Sequence, residues 1–154
     1  MFRVLFVCTG NICRSPTAEG VFRRLVAESG LEARIGAESA GTIDYHAGAR
    51  ADRRTRSAAK RRGIDLEGHV ARQIDEFDFD RFGLLVAMDR GHQKALQTMA
   101  GPGRMEQVAL FLEFAPEQGL RDMPDPYYGG AEGFERVLDL CEAGAKGLLA
   151  HIRG

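Results

Sequence analysis

The stretch Cys8-Thr9-Gly10-Asn11-Ile12-Cys13-Arg14-Ser15-Pro16 decides the fold. Residues 2–7 before it are apolar on both parities, as in a parallel strand buried on two faces. Behind it, Ala18, Val21, Phe22, Leu25 and Val26 recur at helical spacing, with Glu19, Arg23, Arg24 and Glu28 on the other side. A thiol therefore closes a strand, and an arginine stands six residues on, where a helix begins. Pro16 suits the first helical position, which makes Ser15 the expected N-cap. Gly10 and Asn11 are the conformationally tolerant members of the loop. The expected local structure is a strand–loop–helix anion cradle with a nucleophile in its floor.

Working outward, residues 34–39 form a weak second strand, and 40–48 a loop with two glycines. Residues 50–62 read as a helix stopped by Gly63, with seven basic residues and one acid. Charge runs usually mark a solvated face; the sharper alternative is a docking surface for an acidic partner. Residues 75–81 suit a short helical turn. Residues 83–88 form a third strand, and Asp89 can cap a helix over 90–100. Residues 105–114 suggest a short fourth strand followed by an irregular or helical piece. After a loop over 119–130, Phe134, Val137, Leu138, Cys141, Ala145, Leu148, Leu149 and Ile152 trace one face of a terminal helix. Strands alternating with helices imply an α/β fold with a parallel sheet. In such sheets ligands bind beyond the carboxyl ends of the strands, where Cys8, Ser39 and Asp89 fall.

The chain of 154 residues suits a single domain spanning 1–154. Its 44% hydrophobic and 28% charged residues are ordinary globular composition. A net charge of −1 points to neither nucleic acid nor membrane. The opening apolar run is too short to span a bilayer and lacks the layout of a signal peptide. Three cysteines argue against a secreted disulfide framework and for a cytoplasmic, reducing compartment. Cys8 and Cys13 are poorly spaced for zinc, neither Cys141 nor a close histidine pair completes a site, and no metal or cofactor is expected.

These residue types suit phosphoryl transfer. A phosphate monoester carries three peripheral oxygens and needs many donors at once. Backbone N–H groups of Thr9, Gly10, Asn11, Ile12, Cys13, Arg14 and Ser15 can converge as a nest at a helix N-terminus. The Arg14 guanidinium can grip two phosphate oxygens. The positive field favours the Cys8 thiolate, which can attack phosphorus. The leaving oxygen needs a proton. Asp125, stiffened by Pro124 and Pro126, is the best acid, and an acid working beside a thiolate gives a bell-shaped pH profile. A lone strand-end cysteine is more often a small buried hydrophobe, and an aspartate beside proline more often a turn residue. Their combination with Arg14 and the Ser-Pro helix start weighs against both bland readings.

The signature loop at the extreme N-terminus resembles that of the low-molecular-weight protein tyrosine phosphatases. Ser39-Ala-Gly-Thr42, Gly68-His-Val-Ala-Arg-Gln73, Ala87-Met-Asp89, Asp125-Pro-Tyr-Tyr128 and Gly133-Phe134 follow in the family's order. The resemblance implies a three-layer α/β/α fold on a four-stranded parallel sheet, with the phosphate-binding loop between the first strand and first helix. It implies Cys8 as nucleophile, Arg14 as phosphate clamp, Ser15 as the thiolate's hydrogen-bond partner and Asp125 as general acid. It implies an unusual backbone at Asn11 supported by Ser39 and His69, a pocket walled by Ile12, Tyr45, Tyr127 and Tyr128, and a Cys13 able to form a reversible disulfide with Cys8. The expected partners are a phosphotyrosine-containing protein and inorganic phosphate or another oxyanion, for a monomer or weak dimer. Many members carry tryptophan at the Tyr45 position and asparagine at the His92 position. Neither change is expected to touch the chemistry. Related phosphoarginine phosphatases tend to have threonine at the Ile12 position, so Ile12 favours an aromatic ester. Arsenate reductase of the thioredoxin-coupled type needs midchain cysteines that residues 65–100 lack. A non-enzymatic phosphate-binding module is the remaining alternative, and only the basic helix favours it.

Overall fold

The structure, a computed structural model, describes residues 1–127 and 129–154. Strand β1 (Phe2–Cys8) leads into helix α1 (Arg14–Glu28), then β2 (Ile35–Gly41), α2 (Arg53–Arg61), the short α3 (Asp78–Arg81), β3 (Leu84–Ala87), α4 (Arg90–Ala100), β4 (Val108–Leu110) and α5 (Ala131–Arg153). The four strands form one parallel sheet in the order β2-β1-β3-β4.

Alternate residues of β1 bury on opposite faces, which explains its unbroken apolar run. Phe6 packs edge-on against Phe22 of α1 and Phe111, in a core shared with α2 and α5. Leu5 and Val7 face the other way, with Phe79, Leu85, Leu96 and Leu110 beneath α3 and α4. The layers are therefore α/β/α, as expected. Cys141 is buried in the α5 face of the first core.

Three expected boundaries move, each for a local reason. Helix α1 begins at Arg14, not after a Ser15 cap, and its N-cap Cys13 makes no side-chain cap. The Ser15 hydroxyl is engaged with the loop instead. Helix α2 begins at Arg53 because the Asp52 carboxylate accepts the N–H groups of Arg54 and Thr55 at 2.8 and 3.4 Å. Strand β2 runs on to Gly41, paired with Cys8, where a Cβ would stand 2.6 Å from the Thr9 carbonyl oxygen. Glycine there lets the phosphate loop fold back over the strand end. Asp89 caps α4 as expected, accepting from the His92 N–H at 2.8 Å.

Several charges of the basic helix are engaged within the fold. Arg56 pairs with Glu67, Arg61 with Glu135, and Arg62 with Glu135, Asp139 and Glu142. Its charges tie α2 to the following loop and to α5. Among the described residues no helix is long and apolar enough to cross a membrane.

Candidate active site

Asn11 is the keystone of the loop. It is fully buried, and at φ 60° it is the non-glycine residue in the left-handed region among those described. Asparagine tolerates that region better than most residues because its short polar side chain bonds locally. Here the amide Nδ2 donates to Ser15 Oγ at 2.8 Å and to Ser39 Oγ at 3.0 Å. Its Oδ1 accepts from the Arg72 N–H at 3.0 Å. The Asn11 carbonyl meets His69 Nε2 at 2.8 Å. Ser39 and His69 thus both contact the loop at Asn11. Arg72, which lies in the Gly68–Gln73 stretch but carries no expected role there, contacts the loop as well. Its guanidinium grips both oxygens of buried Asp78 at 3.0 Å each, clamping residues 71–74 beside the loop.

That conformation turns the loop inward around Cys8. The Asn11 N–H lies 3.3 Å and Ser15 Oγ 2.9 Å from Cys8 Sγ. The first-turn N–H groups of any helix lack intrahelical acceptors, and the N-cap residue Cys13 offers those of α1 no side-chain acceptor. Buried Arg14 stands at the same end. Its Nη1 donates to Asp89 Oδ2 and to the Met123 carbonyl at 3.0 Å each, and its Nη2 lies 3.6 Å from Asp125 Oδ2. Its position is over-determined before any ligand arrives, which suits an anion clamp.

Cys8, Thr9, Ile12, Arg14, Tyr45 and Asp125 line a pocket of about 330 Å³. Tyr127 borders it as well. Tyr45 is exposed at the rim and meets His46 edge-on, with ring centroids 4.7 Å apart. The side chain of Asp125 is 43% exposed, so a substrate can reach it. Its Oδ1 accepts from the Tyr127 N–H at 3.0 Å. Tyr128, the remaining expected wall, lies outside the described residues.

His92 is closer to the chemistry than its sequence position suggested. It is buried, and its Nε2 lies 2.7 Å from Thr9 Oγ1 in the phosphate loop. Its Nδ1 lies 3.1 Å from Asp89 Oδ1 but off the line of a hydrogen bond. Burial drives its pKa down to about 4 against the attraction of Asp89, so the ring is neutral at pH 7. Burial also pushes the Cys13 thiol up to about 12, and raises that of Cys141. Both are protonated at neutral pH. Among the described residues no group of three His, Cys, Asp or Glu side chains could hold a metal ion.

The chain as a whole has counterparts among known proteins. Residues 3–154 match the family described as "Low molecular weight phosphotyrosine protein phosphatase". A low molecular weight protein-tyrosine-phosphatase of Streptomyces coelicolor is 47% identical over 99% of this chain and 94% of its own. Among solved structures, a protein tyrosine phosphatase from Entamoeba histolytica superposes with a TM-score of 0.96 at 34% identity, covering 99% of this chain and 97% of that one. A Drosophila arginine phosphatase superposes with a TM-score of 0.91 at 28% identity, covering 98% of each chain.

Proposed function

The chain belongs to the low-molecular-weight phosphotyrosine protein phosphatase family, and from that premise we propose that it hydrolyses phosphotyrosine in proteins through a phosphocysteine at Cys8. The observation that carries this reading is the arrangement of Cys8 Sγ between two donors at 2.9 and 3.3 Å, in a pocket walled by both Arg14 and Asp125.

The reaction runs in two displacements. Arg14 and the loop N–H groups hold the non-bridging phosphate oxygens. The Cys8 thiolate attacks phosphorus, forming the S–P bond while the bond to the phenolic oxygen breaks. Asp125 gives its proton to that oxygen, and tyrosine leaves. Ser15 and the Asn11 N–H donate to the sulfur and stabilise its negative charge before attack. Water then attacks the phosphocysteine and its proton passes to Asp125. The S–P bond breaks, returning thiolate and free phosphate.

Ile12 and Tyr45 give the pocket an apolar wall suited to an aromatic ring. A phosphoserine stem is shorter than a phenol, so its phosphorus stops short of Cys8. The test is turnover of matched phosphotyrosine, phosphoserine and phosphoarginine peptides. Selective hydrolysis of phosphotyrosine, lost in Cys8→Ser, is expected. Preference for phosphoarginine would assign the other chemistry of this fold.

A further inference from the structure

Arg54 stands outside the phosphate cradle, yet a continuous chain of contacts runs from the loop through it to Asp125. The Asp52 N–H donates to the Ile12 carbonyl at 2.9 Å, joining the start of α2 to the phosphate loop. The Asp52 carboxylate accepts from the Arg54 backbone at 2.8 Å and from Nε and Nη2 at 3.2 Å each. The guanidinium is thereby aimed away from the charge pairs that engage its neighbours on α2. Its Nη2 donates to the Tyr127 carbonyl at 2.9 Å. Its carbon lies 5.4 Å from the Tyr127 ring centroid and 4.8 Å from that of Phe134 on α5, within cation–π range. The Tyr127 N–H in turn donates to Asp125 Oδ1. Two residues along the chain from the acid, the backbone is thus held at the Tyr127 carbonyl by Arg54.

We propose that Arg54 is a positioning residue for the acid: it locks the loop that carries Asp125 to the loop that carries Cys8. Resting on the assignment of Asp125 as general acid, the inference concerns how that carboxyl is aimed. With Oδ1 occupied by Tyr127, Oδ2 is the oxygen turned toward Arg14, 3.6 Å from its Nη2. Proton transfer to a leaving phenol tolerates little displacement of that oxygen. A loop released from Arg54 would keep the nucleophile and clamp intact while losing the aim of the acid.

The test measures kcat/KM of the full chain for aryl phosphates with leaving groups from para-nitrophenol to tyrosine. Nitrophenolate departs without a proton, whereas tyrosine needs one. Arg54→Ala is expected to lower kcat/KM for phosphotyrosine by roughly 10- to 100-fold but that for para-nitrophenyl phosphate by less than about threefold. Arg54→Lys, which keeps one donor and the positive charge, should recover part of the loss, and it carries the same test should Arg54→Ala fold poorly. In an Asp125→Asn background, Arg54→Ala should add no further discrimination between the esters. An equal loss on all esters, or an undiminished effect of Arg54→Ala in that background, overturns the inference. Asp125→Asn is the internal control. If it leaves the leaving-group dependence unchanged, the assignment of the acid fails and this inference falls with it. If it steepens that dependence and Arg54→Ala does not, the inference on Arg54 fails alone.

Discussion

Replacing Asn11 separates two things the phosphate loop needs: a left-handed residue and a side chain that braces it. Asn11→Ala removes three hydrogen bonds, two buried ones to Ser15 and Ser39 and a half-buried one from the Arg72 N–H. At about 1 kcal/mol net for each, the loss is about 3 kcal/mol, and the orphaned Arg72 N–H adds to it. Alanine at φ 60° costs about 1 kcal/mol more. Asn11→Gly loses the same hydrogen bonds without the steric penalty of a Cβ. The expected order of stability by urea unfolding is therefore wild type, then Asn11→Gly about 3 kcal/mol lower, then Asn11→Ala about 4 kcal/mol lower. For a chain of 154 residues the second deficit corresponds to a fall in Tm of roughly 8–16 °C. The activity of folded Asn11→Ala should fall as well, because the N–H aimed at Cys8 Sγ belongs to the same residue. A loss below about 1 kcal/mol in Asn11→Ala, or equal stability of the alanine and glycine variants, would refute the reasoning.

Three further outcomes follow from the site. Asp125→Ala should slow phosphotyrosine hydrolysis by about 10²–10⁴-fold, measured by steady-state kinetics, as expected for removal of a general acid. Iodoacetamide at pH 7 should alkylate Cys8 and spare Cys13, whose thiol is held up at about 12, and buried Cys141; inorganic phosphate should protect Cys8, and peptide mapping reads the label. His92 binds a proton more weakly folded, at about 4, than in its ordinary range near 6.5. The unfolded chain therefore takes up the extra proton between those values, and stability present above pH 6.5 is lost as pH falls through 4. His92→Asn should be less acid-sensitive across that window, by up to about 3 kcal/mol in urea unfolding.

Much of this was legible along the chain wherever a signal is local. The two-sided apolar run of β1, the periodic face of α5 and the Asp89 cap of α4 are each written within one element. The Ser15 cap misled because the local rule competes with a tertiary one: its hydroxyl has a better partner in the sulfur seven residues earlier. Asp52, by contrast, carried an ordinary cap signal just before Arg53. The electrostatic frame of the site was hidden for a different reason. Arg14 meets Asp89 across 75 positions, Thr9 meets His92 across 83, and Arg54 meets Tyr127 across 73. Such pairs leave no trace in periodicity, and only the folded sheet brings β1 beside β3 and the Asp125 loop over both.

The central claim is that phosphorus is transferred to Cys8 Sγ. It is tested most directly by acid-quenching the enzyme during turnover of a phosphotyrosine peptide and mapping the phosphate by mass spectrometry. The phosphate is predicted on the peptide containing Cys8, as an S-linked ester absent from Cys8→Ser. Phosphate on another residue, or full turnover by Cys8→Ser with no phosphorylated protein, would contradict it.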